Sequence, residues 1–339
     1  MQQLKISRVF DAGNDVTLAT SDCLEFLGTI PDASAQLVIT SPPYNIGKSY
    51  ERKRSTIEEY VSQQARVIGE AVRILKPGGS ICWQVGHYIN GHSQIIPLDM
   101  LLYPCFAVHQ AKSAIFLRNR IIWHFEFGYN SKQRFSGRHE VILWFTKGDN
   151  YTFNLDALRV PQKYPGKRAY QGPQKGKLSG NPLGKNPGDV WIFPNVKGKH
   201  VEKTCHPCQF PIELADRLIE AFTNKKDLIV DPYVGTGSSV AAAILRQRRA
   251  AGCDAIAQYV RIARNRVKLA ADGDLRFRPR SRPVYEPQAN TALTTVPEEF
   301  LRQRAQVQGT KETVETKSSP PSNDDRLPQT APLITRNVA

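Results

Sequence analysis

An α/β fold, with a mostly parallel sheet covered by helices on both faces, is what this 339-residue sequence predicts. Short apolar runs alternate with helical patterns between residues 34 and 148, and the alternation resumes after residue 206. The run DLIVDPYVGTGSS (227–239) then joins a strand to a helix through a glycine turn. Strands that feed crossover helices pair in parallel, and such sheets are buried on both sides.

The first strand closes on Val38-Ile39-Thr40 and runs into Ser41-Pro42-Pro43-Tyr44. Two prolines fix φ and remove two backbone donors, so this turn is stiff and presents Tyr44 as an exposed aromatic on its rim. A stiff aromatic rim suits a pocket for a flat group, and it equally suits a plain turn capped by a packed tyrosine. The local sequence leaves both readings open.

A helix is expected from about Thr56 to Leu75, stopped by Lys76-Pro77-Gly78-Gly79. SICWQVG (80–86) reads as a strand, residues 95 to 110 as a second helix, and NRIIWHF (119–125) and HEVILWFTKG (139–148) as further strands. The character changes after Gly148. From Arg159 to Lys203 there are ten Lys and Arg against two acids, Asp189 and Glu202, in a stretch rich in Gly, Pro and Gln. Such a segment carries no core of its own and is too long for an ordinary connection. It reads either as a solvated basic insertion or, as the overall charge favours, as a surface that follows phosphates through Lys163, Lys167, Arg168, Lys175, Lys177 and Lys185 and becomes ordered on binding, with Tyr164, Tyr170 and Trp191 available to stack or wedge.

The second α/β part opens with FPIELADRLIEAFT (210–223), apolar at helical spacing with a proline near its start. After the strand that ends on Asp231, a helix is expected over VAAAILRQRRAAG (240–252), then a short strand CDAIA and a helix QYVRIARNRVKLA. From about Pro279 the chain is poor in large apolar groups and reads as a flexible tail without a catalytic role. The expected organisation is therefore 1–148, a basic region 149–205, 206–278 completing the first domain, and a tail 279–339.

The formal net charge of +15 favours a polyanion partner. Six cysteines in a chain of this length do not make a disulfide framework, and neither a signal peptide nor a bilayer-spanning run is evident, so a cytoplasmic protein without a membrane partner is expected.

In DLIVDPYVGTGSS, Gly235 and Gly237 let backbone approach a ligand at a helix start, as in dinucleotide folds. The third glycine of that pattern is missing, and Asp231 would repel a phosphate but could accept from an ammonium. Asp254, at the end of the next strand, stands where an acid holds ribose hydroxyls. A ligand with a ribose, a cation and no phosphate is implied. GNPLGKN (180–186) lacks phosphate-loop spacing. His200-Val201-Glu202 with Cys205 and Cys208 imitates a zinc deaminase site, but its halves are too close together, and no metal is expected. Pro207-Cys208-Gln209 has no Glu-Asn-Val to make a carbon-5 methylation site, and Cys208 is read as a partly buried hinge thiol.

Ser41-Pro42-Pro43-Tyr44 together with Asp231-Pro232-Tyr233-Val234-Gly235-Thr236-Gly237 resembles the DNA amino-methyltransferases, which methylate the exocyclic amine of cytosine (N4) or adenine (N6). The motif order resembles their circularly permuted β class over about residues 15 to 270. The resemblance implies the S-adenosylmethionine-dependent methyltransferase type of fold, S-adenosyl-L-methionine as cofactor and duplex DNA as substrate, with a separate restriction endonuclease as a common companion. It assigns Ser41, Pro42, Pro43 and Tyr44 to the flipped base, Tyr44 stacking on it. It assigns Asp231, Tyr233, Gly235 and Gly237 to the cofactor, with Asp22 at the adenosine moiety, Asp254 at the ribose, and His206 and Phe210 beside the methionine end. Asp254 stands where Glu is commoner, and Cys208 and Phe210 depart from the family pattern. Adenine-modifying members usually carry Asp in place of Ser41, so the resemblance favours cytosine N4, with adenine N6 as the alternative and a non-catalytic DNA-binding protein behind both.

Overall fold

The computed structural model describes residues 4–48, 51, 55–90, 94–128, 130–289, 291, 294–303 and 305–306. In chain order its elements are Ile6–Ser7 (β1), Val16–Thr20 (β2), Cys23–Gly28 (α1), Ala35–Thr40 (β3), Ile57–Ile74 (α2), Leu75–Val85 (β4), His87–Asn90 (β5), Gln94–Pro97 (β6), Leu98–Ala107 (α3), Gln110–Ser113 (α4), Ile115–His124 (β7), His139–Lys147 (β8), Val190–Ile192 (β9), Ile212–Phe222 (α5), Leu228–Asp231 (β10), Ser238–Leu245 (α6), Arg249–Asp254 (β11) and Ala257–Asp272 (α7).

Nine strands form one sheet in the order β1-β2-β11-β10-β3-β4-β8-β7-β9. Every pairing in it is parallel except the two that β8 makes with β4 and β7, so β8 alone runs against the rest. Side chains on a strand alternate between faces, and here they divide two cores. Leu37 and Ile39 pack with residues of α5, α6 and α7, whereas Val38 packs with α1, α2 and α3. That two-sided burial explains why β3 is apolar throughout apart from Gln36 and Thr40. Two of the helices, α1 and α2, start on side-chain caps. Thr56 and Glu59 make a reciprocal capping box on α2, which buries Tyr60, Gln64, Val67, Ile68, Ala71 and Val72 at three- and four-residue spacing.

The strand order fixes the position of the site. From β3 the chain moves to β4 on one side, and from β10 to β11 on the other. The strand ends Thr40 and Asp231 therefore lie side by side at the point where winding reverses, the usual place for a ligand crevice.

Several boundaries differ from the sequence expectation. The helix after Gly237 ends at Leu245, not Gly252. Ala250 and Ala251 instead pair with β2 and β10 in β11, where their small side chains fit between two covered faces and pairing overrides alanine's helix propensity. The expected helix from residue 95 starts only at Leu98, because Gln94–Pro97 pairs with His87–Asn90 as a hairpin. Pro77, Gly78 and Gly79 lie inside β4, which starts directly at the helix end and absorbs the irregularity as a register shift opposite Ala35 and Leu37. Two strands and α1 precede β3.

Residues up to Val284 make one compact unit, and those from Tyr285 a second. The first unit thus passes the expected boundary at 278. The buried Arg278 guanidinium donates to Glu213, to the Arg282 carbonyl at 2.6 Å and to the Pro283 carbonyl at 2.8 Å, while Arg280 pairs with Glu220. Within the second unit residues 298–303 are helical and Arg302 pairs with Glu298 at 3.1 Å. Most of the expected tail, 307–339, lies outside the described residues.

The basic segment has more order than its composition suggests. Val160 and Lys185 exchange backbone hydrogen bonds at 3.0 and 2.9 Å, and within that closure Ala169 and Lys177, and Lys167 and Ser179, are linked at 2.9 Å each. Its far end supplies β9, which extends the sheet beside β7.

Candidate active site

A cavity of about 890 Å³ opens over the C-terminal ends of β3, β10 and β11, lined by the loops that follow Thr40 and Asp231 and by the segment around His206. Nearly two hundred residues separate the two loops in sequence. They are joined at their roots: the Thr40 hydroxyl donates to Asp231 Oδ1 at 2.7 Å, while Ser239 donates to Oδ2 and the Tyr233 N–H to Oδ1 at 3.1 Å. Asp231 is 1% exposed and is absent from the cavity lining, so it does not meet an ammonium, as its sequence context suggested. Its carboxylate is occupied in tying β3, β10 and α6 together. Burial pushes its pKa up to about 6, against the pull of these hydrogen bonds.

Ser41, Pro42, Pro43 and Tyr44 all line the cavity. Tyr44 is not the exposed aromatic expected of this turn: it is 8% exposed and belongs to the core on the α2 side. Its hydroxyl lies 3.0 Å from Ser41 Oγ and donates to Glu140 Oε2 at 3.0 Å. Gln84 Nε2 donates to the same carboxylate oxygen at 2.6 Å. Burial raises the Glu140 pKa, while hydrogen bonds from Gln84 and Tyr44 and the charge of Lys197 oppose the shift. Glu140 and Gln84 also line the cavity and were missed in the sequence. The available signal was an acid next to the apolar run 141–145 of β8. Its partners became visible only once β4 and β8 paired.

On the other side, Asp254 Oδ2 accepts the Gly235 N–H at 3.1 Å and Oδ1 the Ile256 N–H at 2.8 Å, which anchors the glycine loop to the end of β11. Burial raises its pKa too. Gly235 has φ +49° and faces His206, whose ring packs edge-on against Tyr259 at 4.7 Å. Burial, helped by Lys203, pushes His206 down to about 4, so the ring is neutral at neutral pH. Gly237 has φ +82°, and a Cβ there would lie 2.7 Å from that of Ala263. Gly237 thus meets a packing constraint from α7 as well as lining the cavity. Asp22 caps α1 by accepting the Leu24 N–H at 2.8 Å, and Tyr233 Oη is met by Cys23 at 3.5 Å and Gln64 at 3.3 Å. Asp22, Tyr233, Gly235, Gly237, Asp254, His206 and Phe210 all reach the cavity wall. So do Glu51, Tyr60 and Gln64, whose Oε1, Oη and Oε1 atoms are buried without a hydrogen-bond partner among the described residues. Unpaired buried polar atoms on a cavity wall suit a polar ligand. The lining also carries the Asp22 and Asp254 carboxylates and the cations Lys48 and Lys197, a mixed polar wall for a polar, charged ligand.

The six cations Lys163, Lys167, Arg168, Lys175, Lys177 and Lys185 are exposed, as are Tyr164 and Tyr170. Trp191 is not available to wedge: it is buried, donates to the Gly188 carbonyl at 2.8 Å and carries the Arg217 guanidinium 4.5 Å above its ring. Cys208 is exposed, contrary to the hinge reading. Glu202 is buried and accepts the Ile212 and Arg278 N–H groups at 2.8 and 3.2 Å, a bracing role between α5 and the segment after α7. No described helix is long and apolar enough to cross a membrane.

A mostly parallel sheet with a crevice at its winding reversal, walled by a Ser-Pro-Pro-Tyr loop and a glycine loop, defines a methyltransferase class of fold. The family model described as DNA methylase (N6/N4) matches residues 35–265, and the chain belongs to that family. It is 46% identical over 242 residues to the type II methyltransferase M.BglII of Bacillus subtilis, covering 71% of this chain and 66% of that protein. It is 31% identical to the DNA adenine methyltransferase YhdJ of Escherichia coli K12, covering 76% and 85%. Among solved structures, the cytosine-N4-specific PvuII DNA methyltransferase shares the fold at TM-score 0.58 and 19% identity, covering 77% of this chain and 92% of that one. A Thermus thermophilus protein assigned as a DNA modification methylase, solved with S-adenosyl-L-methionine, matches at TM-score 0.51 and 26% identity, covering 76% and 96%.

Proposed function

We propose that this chain is a site-specific DNA methyltransferase that uses S-adenosyl-L-methionine to methylate N4 of cytosine in duplex DNA, with the target base turned out of the helix. The observation that carries the reading is Ser41. It is an uncharged hydroxyl at the cavity end of β3, beside a loop stiffened by Pro42 and Pro43 and facing a second loop suited to a nucleoside cofactor. The cofactor supplies an electrophilic methyl group. The chain's part is to prepare the amine, which is conjugated with its ring and poorly nucleophilic. Ser41 Oγ accepts one amine N–H and a carbonyl of the proline turn the other, drawing the lone pair out of the ring plane. Tyr44, on the cavity wall, is the ring against which the base stacks. Positioning and charge placement are then most of the catalysis.

In this reading Asp254 holds the ribose, Asp22 the adenosine moiety, and Tyr233, Gly235 and Gly237 shape the loop around the cofactor, with His206 and Phe210 at its methionine end. Asp231 serves them from beneath. Residues 149–205 form the target-recognition region, in which Lys163, Lys167, Arg168, Lys175, Lys177 and Lys185 follow phosphates, on a framework made by 1–148 and 206–284. A separate restriction endonuclease that shares the target site is the partner this reading allows, since relatives such as M.BglII are type II methyltransferases.

Adenine N6 is the second reading, favoured by the likeness to an adenine methyltransferase. Nucleoside mass spectrometry of duplex DNA incubated with the protein and S-adenosyl-L-methionine separates the two. N4-methylcytosine is expected, and N6-methyladenine without it would overturn the cytosine assignment.

A further inference from the structure

We propose that Glu140 is a positioning residue that sets the direction of the Ser41–Tyr44 hydrogen bond and receives the proton the amine must lose. The proposal rests on the amine-methyltransferase reading above and on the geometry of four side chains. A phenol has one proton, and Tyr44 gives it to Glu140 Oε2 at 3.0 Å. The 3.0 Å contact between Ser41 Oγ and Tyr44 Oη must then be donated by Ser41. With its proton turned toward Tyr44, Ser41 presents only lone pairs to the cavity, as an amine N–H requires. A protonated Glu140 could instead donate to Tyr44, reverse the chain, and leave the Ser41 proton pointing at the substrate. Gln84 donates to Glu140 Oε2 at 2.6 Å and so favours the carboxylate form that keeps the direction correct.

The same chain provides a proton path. As the N–CH3 bond forms, the S–CH3 bond breaks with its electron pair left on sulfur, and the amine nitrogen becomes cationic. One of its protons passes to Ser41 Oγ, the Ser41 proton to Tyr44 Oη, and the Tyr44 proton to Glu140 Oε2. Serine, tyrosine and amine end neutral, and the carboxylate ends as an acid that discharges to solvent. Of the groups around Glu140, Lys197 lowers its pKa, and Tyr44 and Gln84 act as donors. The His87–His139 ring pair, 5.4 Å apart with Arg134 and Asp99 acting on His87, sits at the adjoining starts of β5 and β8. Burial outweighs the stabilising contacts and holds the Glu140 pKa above the ordinary carboxylate value. Because the ionised form is the active one, single-turnover methylation should rise with pH through that raised pKa and be lost below it.

The test compares wild type with Glu140→Gln, Tyr44→Phe and the double variant. Glu140→Gln should lower the single-turnover rate about 100-fold, the usual scale of general-base assistance, and abolish the acidic limb of the pH profile. Affinities for S-adenosyl-L-methionine and duplex DNA should stay within about 2-fold. The double variant should be no slower than the slower single variant, because both cuts break one chain. In ligand-free protein carrying carbon-13-labelled glutamate, burial should place the Glu140, Glu202 and Glu213 carboxyls above the ordinary range; one of these signals should vanish in Glu140→Gln and move higher in Tyr44→Phe, which loses its donor. A Glu140→Gln enzyme with wild-type rate and pH profile overturns the proposal. So do multiplicative losses in the double variant, or rate and melting temperature falling together. A wild-type protein that methylates no DNA at any pH would instead remove the functional reading itself.

Discussion

The ends of β3 and β10 carry similar words, Ser-Pro-Pro-Tyr and Asp-Pro-Tyr, and the fold uses them in opposite ways. Just past the end of β3, Ser41 lines the cavity and is linked through Tyr44 to a carboxylate on β8. At β10 the strand-terminal Asp231 turns inward and spends its oxygens on Thr40, Ser239 and a backbone N–H. A polar residue at a strand end in a crevice can therefore face the ligand or hold the floor, and only its hydrogen-bond partners tell which.

The comparison breaks most visibly at Asp231. Asp231→Ala leaves buried donors unpaired and should cost about 3 kcal/mol of folding free energy by denaturant titration, with cofactor and DNA binding failing together. Asp231→Asn keeps the acceptor for Thr40 and should cost only about 1 kcal/mol. It should also change a pH dependence. The folded pKa of about 6 lies above the ordinary value of about 3.9, so between them the native state holds a proton that the unfolded chain has released. The Asp231 contribution to stability is thus complete at low pH and falls as pH rises from about 4 to about 6; melting curves of Asp231→Asn should lack that component.

Gly237→Ala sharpens the same contrast, since its added methyl meets Ala263 at 2.7 Å in a left-handed backbone conformation. A loss of about 2 kcal/mol in stability is expected, and an unchanged melting temperature would show that the helix start can shift. A smaller effect lies on the exposed basic segment. Lys175→Ala should leave melting unchanged and reduce the slope of log affinity for DNA against log salt by about 1. An unaltered slope would place the phosphate path elsewhere.

These two regions also mark what the sequence could reveal. Both loops were legible because proline stiffness and glycine freedom are local chemistry, and their joining in one site was what the family resemblance implied. Asp231 was legible as important but misread in role, because its partners Thr40 and Ser239 are supplied by neighbouring elements. Glu140 was invisible for a stronger reason. It lies 96 residues from Tyr44 and in a different strand from Gln84, and the pairing of β4 with β3 on one side and β8 on the other brings the three together. The β5–β6 hairpin was lost because the strand-favouring Ile95-Ile96 runs on into the apolar pattern of α3, and the start of β11 because Ala250-Ala251 has helix-like composition; strand pairing decided both outcomes. Trp191 looked available because its segment is basic and polar, yet β9 carries it into the core beneath Arg217.

The central claim is that the β3 end performs the chemistry while the β10 end holds the floor, and Ser41→Ala tests it most directly. Its single-turnover methylation of duplex DNA should be measured beside its melting curve and its affinity for S-adenosyl-L-methionine. We predict a rate lower by about 100-fold, the scale of removing one positioned hydrogen-bonding group, with melting temperature and cofactor affinity at wild-type values. A Ser41→Ala protein that methylates DNA at the wild-type rate would contradict the account.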